Sequence, residues 1–256
     1  MARVTGRRVA LTPARRAIIE VMRLSAGVPL VTIERTMNLR GLVEARAGLP
    51  AAPSWATIFA KAYARVAAMH PELRRAYLSW PWPHLYQADQ SVASVAVERE
   101  YAGASCVFFA FVSNPDQHTL ASLQAALTAA KREPVEGLRH SRRLLRYARL
   151  PWPLRSWAFR WGYHRSGHSR AKNFGTFGLT VTAGLGATLE HLVSPLTTTL
   201  TYGPVAADGT ASVRLVFDHR VLDGAPAARA LRDLEAVLTG EMVGDVAAYR
   251  GPPLPV

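Results

Sequence analysis

The C-terminal part of the chain alternates residue by residue and then changes period, and this restricts its possible folds more than any other feature. In SVRLVFDH (212–219), Val213, Leu215, Phe217 and His219 share one face, because strand side chains alternate. TTTLTYG (197–203) precedes it, and between them Ala207, Asp208, Gly209 and Thr210 carry an Asp-Gly turn signal, which predicts a hairpin. From about Pro226 to Leu238 the period becomes helical, with Ala227, Leu231, Leu234 and Leu238 in one apolar stripe. A sheet face and a helix stripe this close in sequence bury each other.

Upstream, Thr12 as N-cap and Pro13 at the first helical position open an amphipathic helix to about Arg23. VPLVTIERTM is strand-like, Leu39 to Arg46 helical, and PAAPS (50–54) breaks the chain before a longer helix from about Trp55 to Met69. HPEL (70–73) ends that helix, since the residue before a proline avoids helical geometry. SVASVAVE and SCVFFAFVS read as strands and about His118 to Lys131 as a helix; FGTFGLTVTA (174–183) is a further strand. The pattern predicts an α/β (α+β sandwich) fold in one domain over 1–256, without a Gly/Ser linker or an internal repeat.

Nearly half of the 256 residues are hydrophobic, enough for a sizeable core. No apolar run approaches the ~20 residues needed to cross a bilayer, and the N-terminus lacks the continuous apolar core of a secretory signal. The expected location is therefore the cytoplasm. The lone Cys106, inside an apolar run, is expected to be a buried structural thiol, and no cysteine metal site is available. The net charge of +13 is local: 137–172 holds ten Lys or Arg and no Asp or Glu, while the rest is close to balanced. Such charge favours an anionic partner.

The polar residues at the end of the best strand carry the chemistry. An imidazole at the end of a buried apolar row suits a general base, able to take a proton from a thiol, hydroxyl or amine as that group attacks a carbonyl. The alternative is a satisfied core histidine followed by Asp223 as the N-cap of the last helix. By composition HxxxDG arises in about one or two of a hundred such chains, so spacing alone does not decide.

The surrounding residues do. FDHRVLDGAPAARALRDLEAVL resembles the C-terminal signature of the dihydrolipoamide acyltransferase catalytic domain of 2-oxo acid dehydrogenase complexes, a fold shared with chloramphenicol acetyltransferases. LTPARRAIIEVM resembles that family's first helix, WATIFAKAYARVAAMHPEL its second long helix, VSNPDQHTLASLQAALTAAK its central strand-to-helix step, and NFGTFGLTVTAGLG its glycine-flanked strand. The resemblance spans most of residues 8–240, with DHRxxDG its most specific part.

The resemblance implies a chloramphenicol acetyltransferase-like mixed sheet with flanking helices, and direct acyl transfer from or to coenzyme A without a covalent enzyme intermediate or a metal. It makes His219 the general base and Asp223 a structural residue whose arginine partner is Arg15, with Arg16 the neighbouring candidate. It assigns the oxyanion-stabilising hydroxyl to Thr180, with Thr182 on the same face as the alternative; both are also ordinary β-branched strand residues. It implies a homotrimer whose active site lies between subunits.

Three departures qualify the substrate. The chain starts almost at the first catalytic-domain helix, so a lipoyl domain and its lipoyl group are not expected on it, and Leu30 replaces the family's usual histidine in the first strand. The basic insertion at about 137–172 stands where the family has a short connection. Arg139, Arg142, Arg143 and Arg146 form one helical face, Pro151, Trp152 and Pro153 interrupt it, and Trp157 and Trp161 near Leu154 suggest an aromatic face flanked by Arg155 and Arg160. Tryptophan with arginine suits a membrane interface, hence an anionic membrane surface or lipid as partner, a lipid or long-chain substrate, and a peripheral location at the inner face of the membrane. Packing of the tryptophans on the sheet or a neighbouring subunit is the bland alternative. Nucleic acid is the weaker expectation, since no nucleic-acid motif accompanies the charge. His164 and His168 lack a nearby carboxylate or cysteine and make a poor metal pair. Two functions follow: a stand-alone acyltransferase using acyl-CoA, or a non-catalytic trimeric scaffold that binds a membrane or protein through the basic stretch.

Overall fold

The structure, a computed structural model, describes residues 5–251. Its centre is a six-stranded mixed sheet in the order β1-β8-β7-β6-β4-β5, made of β1 (Leu30–Asn38), β4 (Val92–Tyr101), β5 (Ala104–Ser113), β6 (Phe177–Leu179), β7 (Thr198–Tyr202) and β8 (Thr210–Asp218). A separate pair, β2 (Arg75–Leu78) and β3 (His84–Gln87), stands apart. The expected hairpin is present: β7 and β8 run antiparallel, Asp208 Oδ1 accepts the Thr210 N–H at 2.8 Å, and Gly209 takes a φ of +89°. A Cβ at Gly209 would lie 2.3 Å from the Arg40 backbone, so the turn requires glycine there.

One face of the sheet carries the main core. Helices α3 (Trp55–Met69), α4 (Leu120–Arg132) and α8 (Gly224–Thr239) pack on it, with α2 (Arg40–Ala47) and α9 (Glu241–Ala247) beside α8. The stripe read for the last helix is the buried one, since Ala227, Leu231, Leu234 and Leu238 all belong to this core. Val213, Leu215 and Phe217 of β8 are fully buried against them. α3 follows its Ser54 cap, whose hydroxyl accepts the Thr57 N–H at 3.3 Å, and its Phe59 ring stacks on Tyr202 of β7 with centroids 4.1 Å apart.

The other face of the β5-β4-β6 edge is covered by α1 (Pro13–Ser25) and by the basic stretch, which folds into α5 (Arg139–Ala148), α6 (Trp152–His164) and α7 (Gly167–Phe174). Leu145 and Ala148 are buried, whereas Arg139, Arg142, Arg143 and Arg146 are exposed, as the helical spacing predicts. Cys106 is a buried free thiol packed with Ala14, Phe108 and Leu145. Of the FGTFGLTVTA strand, only Phe177–Leu179 is paired as sheet. Thr180 leaves the strand, and Thr182 heads a 3-10 turn, Ala183–Leu185. Among the described residues no helix is long and apolar enough to cross a membrane.

Truncating Phe59 removes a fully buried ring with a stacked partner, so Phe59→Ala is expected to cost about 3–5 kcal/mol, read as a lowered urea midpoint.

Candidate active site

The HxxxDG segment begins where the β8 ladder ends. Asp218, the last residue of β8, is fully buried, and its carboxylate accepts Arg220 Nε on Oδ1 at 2.9 Å and Nη2 on Oδ2 at 2.8 Å. The Arg220 backbone N–H also donates to Oδ1, at 3.0 Å. Burying a charge is tolerated only when it is paired, and here the pairing closes a turn, with the Val221 and Leu222 N–H groups donating to the Asp218 carbonyl at 3.0 and 3.1 Å. Arg220 lies 4.5 Å over the Tyr77 ring and donates through Nη1 to the Gly27 carbonyl at 3.2 Å. The hydrogen bonds to Asp218 raise its pKa.

The insertion reaches the same place. Arg170 of α7 is 2% exposed; it donates to the carbonyls of Tyr77 at 2.7 Å and Pro195 at 2.8 Å, and its guanidinium lies 4.2 Å over the Tyr163 ring. The Tyr163 hydroxyl donates to the same Pro195 carbonyl at 2.6 Å. Burial pulls the Arg170 pKa down, and the Asp218 carboxylate opposes this through space. The motif reading gave no role to Asp218 or Arg220, although both lie inside DHRxxDG, and none to Arg170. The signal was present for two of them: Asp218 and Arg220 are two apart, hence on one face of an extended segment.

His219 follows this lock. Its N–H donates to the Pro29 carbonyl at 3.0 Å, and its ring lies 5.9 Å from that of Phe217. Its face is the expected one, but its burial is not. β8 ends at Asp218 opposite Leu30, so the imidazole projects past the last covered row, and its side chain is 51% exposed. Nδ1 is 3.5 Å from Asp223 Oδ1, beyond normal hydrogen-bond length. Asp223 occupies the N-cap position of α8, but its carboxylate makes no capping bond.

The expected Arg15–Asp223 ion pair does not form within the chain. Asp223 is largely exposed with His219 as its neighbour, and Arg15 lies exposed on α1, which packs on β5 at the opposite edge of the sheet from β1 and β8. Among the described residues it is Asp218 with Arg220 that holds the turn.

The two threonines separate clearly. Thr182 spends its hydroxyl on the Ala187 carbonyl at 2.9 Å. Thr180 anchors its backbone N–H on the Leu200 carbonyl at 3.1 Å, while its hydroxyl has no hydrogen-bond partner among the described residues and lines a cavity of about 490 Å³. His219 does not line that cavity. Phe177, Thr198 and Phe217 stand in register across three strands. Thr180 is three residues beyond Phe177, and His219 is two beyond Phe217 toward the opposite end of the sheet. At ~3.3 Å per residue these five steps put the two side chains roughly 16 Å apart along the strands, far outside proton-transfer reach.

The cavity lies between the sheet and the insertion. Trp157 and Trp161 of α6, which bound it, stack with centroids 5.6 Å apart and remain 61% and 45% exposed. Arg155 does not flank this aromatic face in solvent; it turns inward to Glu20 of α1, with Nε donating to Oε1 at 2.9 Å, and Glu20 also accepts Arg23 at 2.9 Å. His164 and His168 fall on different helices, α6 and α7.

No protein-family model matches the chain, and no curated protein sequence does. Solved structures do. A probable dihydrolipoamide acetyltransferase from Listeria monocytogenes 4b F2365 superposes with a TM-score of 0.65 at 16% identity, covering 96% of this chain and 97% of that one. The dihydrolipoamide acetyltransferase of Azotobacter vinelandii, whose catalytic mechanism has been probed at a serine, a histidine and an asparagine four positions after that histidine, gives 0.64 at 20% identity over 93% of each chain. The truncated catalytic core of the 2-oxoacid dehydrogenase multienzyme complex from Thermoplasma acidophilum gives 0.65 at 15% identity, covering 92% of this chain and 99% of that one. The chain has the fold of the dihydrolipoamide acyltransferase catalytic core.

His164 at the end of α6 has its pKa lowered, first by burial and then by Arg170, Arg160 and Arg220. A histidine held neutral contributes stability that is complete above its unfolded pKa of about 6.5 and is lost as pH falls through that value toward the lower folded one. Thermal midpoints are expected to fall on acidification below pH 6.5, with a shallower slope in His164→Gln.

Proposed function

We propose that the protein is a CoA-dependent acyltransferase in which His219 is the general base, Thr180 the oxyanion donor, and the site is completed between two copies of the chain in a homotrimer. The observation that carries this reading is the separation of His219 and Thr180 at opposite ends of the strands, each with its polar group unspent on the chain's own structure. One chain cannot join them; a neighbouring copy that lays its His219 end against the Thr180 end of the next can.

The Azotobacter vinelandii enzyme supports the carry-over. Its histidine and asparagine have the spacing of His219 and Asp223, and its serine corresponds in chemistry to Thr180. In the proposed reaction the neutral His219 imidazole removes the proton from the acceptor thiol, hydroxyl or amine as that atom attacks the thioester carbonyl. The negative charge that develops on the carbonyl oxygen is met by the Thr180 hydroxyl. Collapse of the tetrahedral adduct expels the CoA thiolate, which takes the proton back from the imidazolium. Asp223, 3.5 Å from Nδ1, biases the ring orientation. Asp218 and Arg220 keep the turn from relaxing. Arg15 is left as a candidate partner of Asp223 across the interface between copies.

The peripheral location at the inner face of a membrane is also proposed. It is favoured by the exposure of Trp80, Trp82, Trp152, Trp157 and Trp161, together with Leu154, Arg160 and the arginines of α5. Sedimentation with anionic liposomes is expected, weakening with salt and on replacing Trp157 and Trp161 with serine.

His219→Ala is expected to abolish acyl transfer from acetyl-CoA, and Thr180→Ala to slow it by about 10²–10³, the usual cost of one oxyanion donor. Equal rates for wild type and His219→Ala would instead favour a non-catalytic scaffold. A mixture of the two variants, unfolded and refolded together, tests the shared site: random reassortment restores about a quarter of wild-type activity, because some interfaces then combine an intact histidine with an intact threonine. No recovery in refolded mixed oligomers would place the site within one chain.

A further inference from the structure

We propose that the cavity between the sheet and α5–α7 binds one long alkyl chain bearing an anionic head, with its acyl end directed toward Thr180. This deepens the acyltransferase reading by naming the substrate class and rests on that reading for the role of Thr180.

The floor of the cavity is a registered row. Phe111, Ser94, Gly178 and Thr199 are directly paired neighbours across β5, β4, β6 and β7, so the row crosses three interstrand spacings, a span of about 14 Å. Its middle is small at Ser94 and the nearby Ala96, which leave space that larger residues would fill. Gly178 is held small by its surroundings, since a Cβ there would lie 2.9 Å from Thr199 Oγ1 and 3.1 Å from Leu196 Cδ1.

The roof is pinned away from this floor. At one end the Glu20 carboxylate ties α1 to Arg155 of α6, and at the other Tyr163 and Arg170 fix α6 and α7 to the Pro195 carbonyl. Protein interiors hold few voids larger than a water molecule, whereas 490 Å³ falls within the ~300–1,000 Å³ of small-molecule sites.

The walls are hydrocarbon where a chain would touch them. Ile18, Val21 and Met22 of α1 face Phe109 and Leu144, and Trp157 with Trp161 close the outer side. Several polar groups on the lining are already paired with one another: Asn173 donates to Ser169, Ser169 to the Gly162 carbonyl, and Thr199 to Ser194. The formal charges on the lining are Arg143 and Arg165, with no Asp or Glu among its residues, which selects a phosphate or carboxylate head over a cationic one. Thr180 lies two residues along the chain from Gly178, on the same lining, and this is where the acyl carbon has to arrive for transfer.

A long-chain acyl-CoA donor and a free fatty acid share this chain-and-head chemistry, and separate titrations distinguish them. Full-length protein is titrated calorimetrically with palmitoyl-CoA, palmitic acid, acetyl-CoA and CoA alone, below the micelle-forming concentration of each amphiphile. At least one palmitoyl ligand is expected to bind ten times or more tightly than acetyl-CoA, and which one binds identifies the source. Ala96→Phe on the floor and Ile18→Phe on the helical wall, each checked for an unchanged thermal midpoint, are both expected to weaken that binding at least tenfold. His219→Ala is expected to bind as wild type does. Palmitoyl ligands that bind no better than acetyl-CoA, or that are unaffected by both folded variants, overturn the proposal. Intact palmitoyl binding without any transfer activity would sink the catalytic reading alone, and acetyl transfer without palmitoyl binding would sink this one alone.

Discussion

A carboxylate with no access to water has to find a cation, and in this chain Asp218 finds Arg220 two residues later. That pair halts β8, folds the backbone into the turn before α8, and anchors the turn to Gly27 and the Tyr77 ring. Everything proposed for the site depends on it, because His219 lies between the two partners and has no freedom to turn inward. The imidazole is therefore presented outward by the same contact that secures the core behind it. Arg170, buried nearby, links this lock to the insertion, so the basic stretch is structurally continuous with the motif.

The sheet divides the molecule's tasks between its faces. One face is filled by α3, α4 and α8 and supplies the main core. The other, over β5, β4, β6 and β7, keeps small residues along its floor and is covered by α1 and the insertion at a distance. The arginines of that insertion are of two kinds. Those on the outer face of α5 remain in solvent, while Arg155 and Arg170 turn inward as struts to Glu20 and Pro195. A net positive charge counted from the sequence conceals this difference, because charge alone does not say which arginines are structural.

Secondary structure was legible wherever a local signal was strong. The Thr12 cap, the PAAPS break before Trp55, the proline after His70, the Asp208-Gly209 turn and the apolar stripe of α8 are each local, and each appears in the structure. The strand through Thr180 and Thr182 was not legible in its length, since FGTFGLTVTA alternates well beyond Leu179 but has paired neighbours only from Phe177 to Leu179. Alternation states a capacity to pair, and the available partner strand decides how far pairing goes.

By itself the sequence determined the order of the main helices and strands, though not β2, β3, α7 or α9, and it determined which residues of β8 and α8 enter the core and the identity of the polar residues at the end of β8. Those properties follow from backbone stereochemistry and from hydrophobic periodicity, which act over a few residues. Tertiary structure alone decided that His219 is exposed, that Asp218 and not Asp223 holds the turn, that Arg15 lies at the far edge of the sheet, and that Thr180 faces a cavity while Thr182 is spent on Ala187. Each of these depends on strand order and register, which are set by contacts between residues distant in sequence and leave no periodic trace in any one segment.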